Sequence, residues 1–219
     1  MVKVLVICDD KWHPAEVIRR SLAVLGGSEF DFDIVEDAKD ILMPKMLEQY
    51  PIIMNCKCNA ISAANEHAWF DKGVTEVGPN ELREYIEKGG GFLSVHSGNA
   101  FFKGDTSGYL ELVGNYFVQH PPRCDVEIHI TAEHPVTDGV EDFCVRDEHY
   151  EIALTVDDTN ELFVTRSATG GEQIGGYTRD IGKGRLCVLT PGHILDVWTH
   201  PMFQKLLGNA IRWCAKSHK

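Results

Sequence analysis

The sequence predicts one α/β domain, residues 1–219: a doubly wound, mostly parallel sheet with helices on both faces and antiparallel strands added in the C-terminal half. Three observations predict it. The opening half alternates short apolar runs with segments of helical period, the signature of strands joined by crossover helices. From Asp125 onward, strand-like segments follow one another with few helices between them. The 219 residues contain no low-complexity linker and no internal repeat, and that length can bury a full core.

The elements follow in order. Val2 to Cys8 is apolar except for Lys3 and reads as a strand covered on both faces. Asp9 to His13 is a loop, and Pro14 opens a helix where its missing N–H costs nothing. Val17, Ile18, Leu22 and Leu25 recur at helical spacing until Gly26-Gly27. Phe30 to Val35 alternates as a more exposed strand. Asp40 to Tyr50 predicts a weak helix interrupted by Pro44, and Pro51 to Cys56 another buried strand. Asn59 to Gly78 predicts a loop with a short helical piece. A helix over Asn80–Lys88 is capped by Asn80 and ended by Gly89. Phe92 to Val95 is the next strand. Asp125–Ile130, Glu161–Ser167, Ile174–Arg179 and Arg185–Thr190 read as strands, the last two flanking a hairpin turn at Ile181–Gly184. The final helix begins near His200-Pro201, with Phe203, Leu206, Leu207, Ala210, Ile211 and Cys214 as its apolar stripe.

Composition narrows the function classes. Hydrophobic residues make up 43% and charged residues 25%, as in ordinary globular proteins. The net charge is −12, with no clustered Lys/Arg stripe, so neither nucleic acid nor an anionic membrane is an expected partner. No run approaches the ~18 apolar residues of a membrane span. The N-terminal run carries Lys3 and no cleavage-like segment, so it reads as a strand. The seven cysteines are odd in number and mostly lie in apolar runs, as expected of free thiols in the cytoplasm. Cys56-x-Cys58 lacks the second pair of a thiolate metal site, and strand parity explains the spacing by packing.

The chemistry lies with the ten histidines. His96 ends the strand that Gly89-Gly90-Gly91 feeds, and small residues follow it. His13 follows the first strand, and His193 follows the last apolar strand after Pro191-Gly192. In a parallel sheet the carboxyl ends of the strands share one edge, where ligands gather. The three histidines are therefore expected to converge there. His120, before Pro121-Pro122, and Glu148, within Arg146-Asp147-Glu148-His149-Tyr150, are expected to close the crevice. Carboxylates beside imidazoles either complete a metal shell or tune acid–base groups. His129, His134, His149, His200 and His218 read as structural or surface residues. Serine catalysis by Ser94 or Ser97 is a weaker reading. No phosphate-binding loop is present, so no nucleotide cofactor is expected.

These residues together resemble the ThuA-like family, named for trehalose utilisation and related in fold to class I glutamine amidotransferases. The resemblance rests on Gly89–Ser97, Gln119-His120-Pro121, His134-Pro135-Val136-Thr137-Asp138-Gly139, Asp147-Glu148-His149-Tyr150, Gly182–Arg185, Pro191-Gly192-His193, Trp198–Pro201 leading to Ile211-Arg212-Trp213, and Trp12–Glu16. It implies a flavodoxin-like sheet and a polar pocket where the amidotransferase active site would be. The amidotransferases carry a cysteine at the elbow; this chain carries His96, so a glutaminase is excluded. The implied function is an enzyme of carbohydrate metabolism (a hydrolase, lyase or isomerase) acting on a sugar or oxidised sugar derivative. The alternative is a non-catalytic sugar- or metabolite-binding module. His96, His193, Glu148 and His13 are the expected catalytic residues. His120, Asp147, Tyr150, Ser97 and Trp12 are the expected substrate contacts. A divalent metal (zinc, manganese or nickel) on His96, His193, Glu148 and His120 is one open chemistry, and direct acid–base catalysis is the other. A homo-oligomer is left open.

Overall fold

A computed structural model describes residues 1–37, 42–62, 68–69, 75–105 and 107–216. The first half runs β1 (Val2–Ile7), α1 (Ala15–Leu25), β2 (Phe30–Val35), α2 (Pro44–Leu47), β3 (Ile52–Asn55), α3 (Pro79–Glu87), β4 (Gly91–Val95) and, after a 3-10 turn at His96–Asn99, α4 (Tyr109–Val113). The second runs β5 (Asn115–Gln119), β6 (Cys124–Ile130), β7 (Phe143–Asp147), β8 (Glu151–Leu154), β9 (Asn160–Ser167), β10 (Gly171–Ile181), β11 (Gly184–Leu189), α5 (Leu195–Thr199) and α6 (Pro201–Cys214).

One nine-stranded sheet has the order β2-β1-β3-β4-β11-β10-β9-β6-β7. The side from β2 to β11 is parallel throughout, and the side from β10 to β7 is antiparallel. Consequently the carboxyl ends of β1, β4 and β11 lie on one edge. A separate antiparallel pair joins β5 to β8, with Gln119 opposite Glu151. That pairing brings the loop after β5 beside the loop before β8.

Strand parity divides the core in two. Val4 and Val6 face the layer of α1, α5 and α6, with Ile18, Leu22, Trp198, Phe203 and Leu207. Leu5 and Ile7 face the layer of α2, α3 and α4, with Leu47, Leu82, Ile86 and Tyr109. Alternation on an apolar strand requires cover on both faces, and burying each such side chain contributes about 1.5–3 kcal/mol. The whole predicted stripe of α6 is buried. The sheet meets α6 so closely that a Cβ on Gly91 would stand 2.4 Å from the Cys214 carbonyl oxygen, which is why β4 starts on glycine.

Several boundaries differ from expectation. The helix expected to be capped by Asn80 starts at Pro79, whose fixed φ suits the first helical position, and the Gly78 N–H donates to Glu81 Oε2 at 2.9 Å. The helix predicted over Asp40–Tyr50 is described only as α2, which Pro44 opens; residues 38–41 lie outside the described residues. So do His218 and much of the predicted loop at Asn59–Gly78. No helix among the described residues is long and apolar enough to cross a membrane.

Candidate functional site

His13 and His96 are each fixed by a neighbour that orients the ring, and His193 by bonds of its backbone. His13 lies in the loop after β1. Asp10 Oδ1 accepts the backbone N–H of Trp12 (2.9 Å) and of His13 (3.0 Å), and contacts His13 Nδ1 at 2.7 Å. Asp10 Oδ2 accepts the Cys58 N–H at 3.0 Å. Burial opposes ionisation of Asp10, but the His13 contact and these backbone bonds outweigh it and lower the carboxyl to about 2. Burial lowers the pKa of His13, and the Asp10 bond opposes this only in part. A neutral ring donating Nδ1–H to Asp10 leaves Nε2 as a lone pair.

His96 adopts φ 46°, a left-handed conformation that non-glycine residues seldom hold away from functional sites. Its Nδ1–H donates to the Thr190 carbonyl at 2.8 Å, because a carbonyl can only accept. Tyr150 stacks on the ring at 4.1 Å between centroids. His193 follows Gly192 after β11. The Gly192 and His193 N–H groups donate to Asp147 Oδ2 and Oδ1 at 2.8 and 3.0 Å. Burial raises the Asp147 carboxyl against these bonds.

The three rings stand edge to face, with centroids 5.0 Å (His13–His96), 5.0 Å (His13–His193) and 5.6 Å (His96–His193) apart. Glu148 Oε2 lies 3.1 Å from His193 Nδ1, 3.5 Å from His96 Nε2 and 3.6 Å from His120 Nε2. Burial would raise the Glu148 carboxyl, but His193 and His96 overcome it and hold it well below the usual carboxylate range. His13 Nε2, His96 Nε2 and His193 Nδ1 are buried and have no partner in hydrogen-bond geometry. One donor atom from each of His13, His96, His193 and Glu148 lies within 4.8 Å of every other, so these residues could hold a metal.

The remaining candidates divide. A cavity of about 550 Å³ reaches this group; its lining includes His13, Glu148, Tyr150, Trp12, His120 and Phe102. Trp12 and Phe102 are 58% and 65% exposed and edge it. His120 takes the pocket side: its Nδ1–H donates to the Pro121 carbonyl at 2.8 Å, and it stands outside the tight donor group, where His13 sits instead. Ser97, expected to touch substrate, is buried and donates to the Cys56 carbonyl at 2.7 Å. Asp147, also expected to touch substrate, is wholly buried; both oxygens are taken by the loop that carries His193. Asp10 was missed; its position three residues before His13, at the entrance to a helix, is the sequence signal of such a turn.

Cysteine is poorly placed for catalysis. Cys58 lines the pocket, but burial and then Asp10 push its thiol up to about 12. A thiol so raised is not the nucleophilic thiolate at neutral pH. Cys56 and Cys58 lie in opposite core clusters, so they do not form a chelating pair.

The family model for ThuA, described as trehalose utilisation, matches residues 3–214. The chain belongs to the ThuA family. The fold agrees. A ThuA-like protein from Bacteroides uniformis ATCC 8492 aligns with a TM-score of 0.75 at 20% identity, covering 100% of this chain and 93% of the other. Another ThuA-like protein, from Parabacteroides merdae ATCC 43184, gives 0.74 at 20% identity, covering 100% and 92%. A β-galactosidase from Rahnella sp. R3 gives 0.67 at 12% identity, covering 94% of this chain but 31% of that enzyme. Among curated proteins none matches. ThuA membership makes a role in carbohydrate metabolism plausible; these structural likenesses, all below 25% identity, speak to the fold alone.

Proposed function

We propose that this ThuA-family chain is an enzyme that acts on a sugar or oxidised sugar derivative, with His13, His96, His193 and Glu148 as its chemical centre. The observation that carries the reading is the junction of two features. A cavity of about 550 Å³ lies in the size range of small-molecule sites, and its lining includes His13 and Glu148, which belong to a group in which one nitrogen of each histidine ring has no hydrogen-bond partner. Aromatic walls suit the C–H faces of a sugar ring, and Tyr150, Phe117 and Trp12 supply them. Paired imidazoles and a carboxylate can move protons at a sugar carbonyl or carbinol, directly or beside a bound cation. His120, on the pocket wall, would contact the substrate. The location at the strand ends supports this reading, as does the order of the parallel strands, which places β2 and β3 on opposite sides of β1 as in a flavodoxin-like switch point.

The test is direct. Trehalose and its singly oxidised keto derivatives are incubated with the protein, and products are followed by carbon NMR. Turnover of one of them by wild type, with loss of turnover but retained ligand affinity in His96→Ala, supports an enzyme. Binding without turnover in the wild type supports a binding module instead. Unchanged turnover in His96→Ala removes the site assignment.

A further inference from the structure

We propose that His13 Nε2, His96 Nε2, His193 Nδ1 and Glu148 Oε2 form a binding site for one divalent first-row transition-metal ion, and that His120 lies outside its coordination shell. The site stands on geometry and is independent of which sugar, if any, the protein turns over.

Buried polar atoms are almost always satisfied, and each exception asks for an explanation. Here three exceptions fall on histidines that each place a ring nitrogen within 4.8 Å of a Glu148 oxygen. His96 is 1% exposed and His13 8%, so bulk solvent does not reach these atoms. A cation held between these nitrogens and the Glu148 carboxylate gives all of them a partner at once.

The supporting groups are those of a metal site. Ligating histidines usually donate their other ring N–H to a carboxylate or carbonyl, which fixes the tautomer and ring direction. His13 does so to Asp10 and His96 to Thr190. His193 is positioned by its own backbone N–H on Asp147. The dimensions also fit. Four donors about 2.0–2.2 Å from a zinc-sized ion stand about 3.3–3.6 Å apart in a tetrahedron. Glu148 Oε2 is already 3.1 Å from His193 Nδ1 and 3.5 Å from His96 Nε2.

The donor set selects the class of ion. Imidazole suits zinc, iron, cobalt and nickel, whereas calcium and magnesium require mainly oxygen. Three imidazoles and one carboxylate therefore discriminate against Mg²⁺. Because His13 and Glu148 also line the 550 Å³ cavity, an ion held there has a path of entry and an exposed side. His120 is 35% exposed at its side chain, with its Nδ1–H on Pro121; it faces that open side.

The test uses tag-free, chelator-treated full-length protein, with Zn²⁺, Co²⁺ and Mg²⁺ alone as probes. Calorimetry and Co²⁺ absorption are expected to show one Zn²⁺ or Co²⁺ per chain and no Mg²⁺ binding at equal concentration. His96→Ala and Glu148→Gln are each expected to weaken Co²⁺ binding at least about tenfold, while His120→Ala keeps the stoichiometry. Glu148→Gln is nearly isosteric, so it reports even if His96→Ala does not fold. Absence of one-to-one binding, unaltered binding in Glu148→Gln, or loss of the ion in His120→Ala would overturn the assignment.

Discussion

Replacing Gly192 by alanine tests how the fold aims His96. Gly192 has φ 142°, a conformation L side chains rarely adopt. An added Cβ would stand 3.0 Å from His96 Cβ and 3.4 Å from two indole carbons of Trp198. The backbone cannot easily turn away, because its N–H is held by Asp147 and its carbonyl by Trp198 Nε1 at 2.5 Å. A residue forced into such a region costs about 1–3 kcal/mol. At roughly 2–4 °C per kcal/mol for a domain of this size, Gly192→Ala should melt roughly 2–12 °C below wild type. Displacement of His96 should also weaken Co²⁺ binding. Gly139→Ala is the control: φ is also positive, at 64°, but its nearest neighbour is the flexible end of Lys205 at 3.5 Å, and it lies outside the donor group. It should lose stability without losing Co²⁺ affinity. Circular-dichroism melts and Co²⁺ titrations read both effects. If Gly192→Ala melts and binds Co²⁺ like wild type, the coupling of this turn to His96 is wrong.

The remaining predictions concern orientation, reactivity, binding and pH. Asp10→Asn should lower metal affinity about 10–100-fold, measured by calorimetry; an unchanged affinity would mean Asp10 does not set the His13 ring. Iodoacetamide at neutral pH should label exposed Cys144 and half-exposed Cys124 before Cys58, whose pKa is raised to about 12, and turnover should survive; mass spectrometry locates the label. Sugar binding should change the fluorescence of Trp12, the one exposed tryptophan among the described residues (the others are 8% exposed or less), and Trp12→Phe should abolish the change. His129 bridges Asp142 (3.0 Å) and Glu127 (3.1 Å), and these contacts raise its pKa above 6.5. Its contribution is therefore full below pH 6.5 and fades as pH rises through the folded-state value. On an exposed site it is worth less than about 1 kcal/mol. Melting curves of wild type and His129→Gln should accordingly differ at pH 5.5 and converge at high pH; a constant difference would refute the ion-pair account.

The parallel half was legible because its inner strands are buried on both faces and so appear as nearly unbroken apolar runs, while the edge strand β2 alternates. Ile52–Asn55 and Gly91–Val95 are wholly buried, and their boundaries fell within a residue or two of expectation. The antiparallel half was less so. β7 and β8 are short and partly exposed, and β5 carries exposed Val118 and Gln119, leaving little apolar signal. β10 starts at Gly171 and ends at Ile181, longer at both ends than the expected Ile174–Arg179, and it runs through Gly175-Gly176. There a Cβ would fall 2.4–2.5 Å from the Phe163 ring, so the glycines admit a neighbour and the strand continues through a register shift.

At the site, convergence of His13, His96 and His193 followed from topology, since all three leave strands of the parallel side. Which histidine completes the tight group did not. His13 and His120 both reach Glu148's surroundings. What separates them is the Asp10 bond that turns one ring inward and the Pro121 bond that keeps the other on the pocket wall. The anchor of His96 is the Thr190 backbone carbonyl, a group every residue carries and no sequence pattern marks.

X-ray absorption at the metal edge of Co²⁺-loaded protein bears most directly on the central claim, that these four side chains act as one centre. The account predicts a first shell of nitrogen and oxygen only, near 2.0–2.2 Å as for imidazole and carboxylate ligation, with the multiple scattering of imidazole. A sulfur shell, which would place the ion at cysteines such as Cys56 or Cys58, or a spectrum of hydrated cobalt alone, would contradict it.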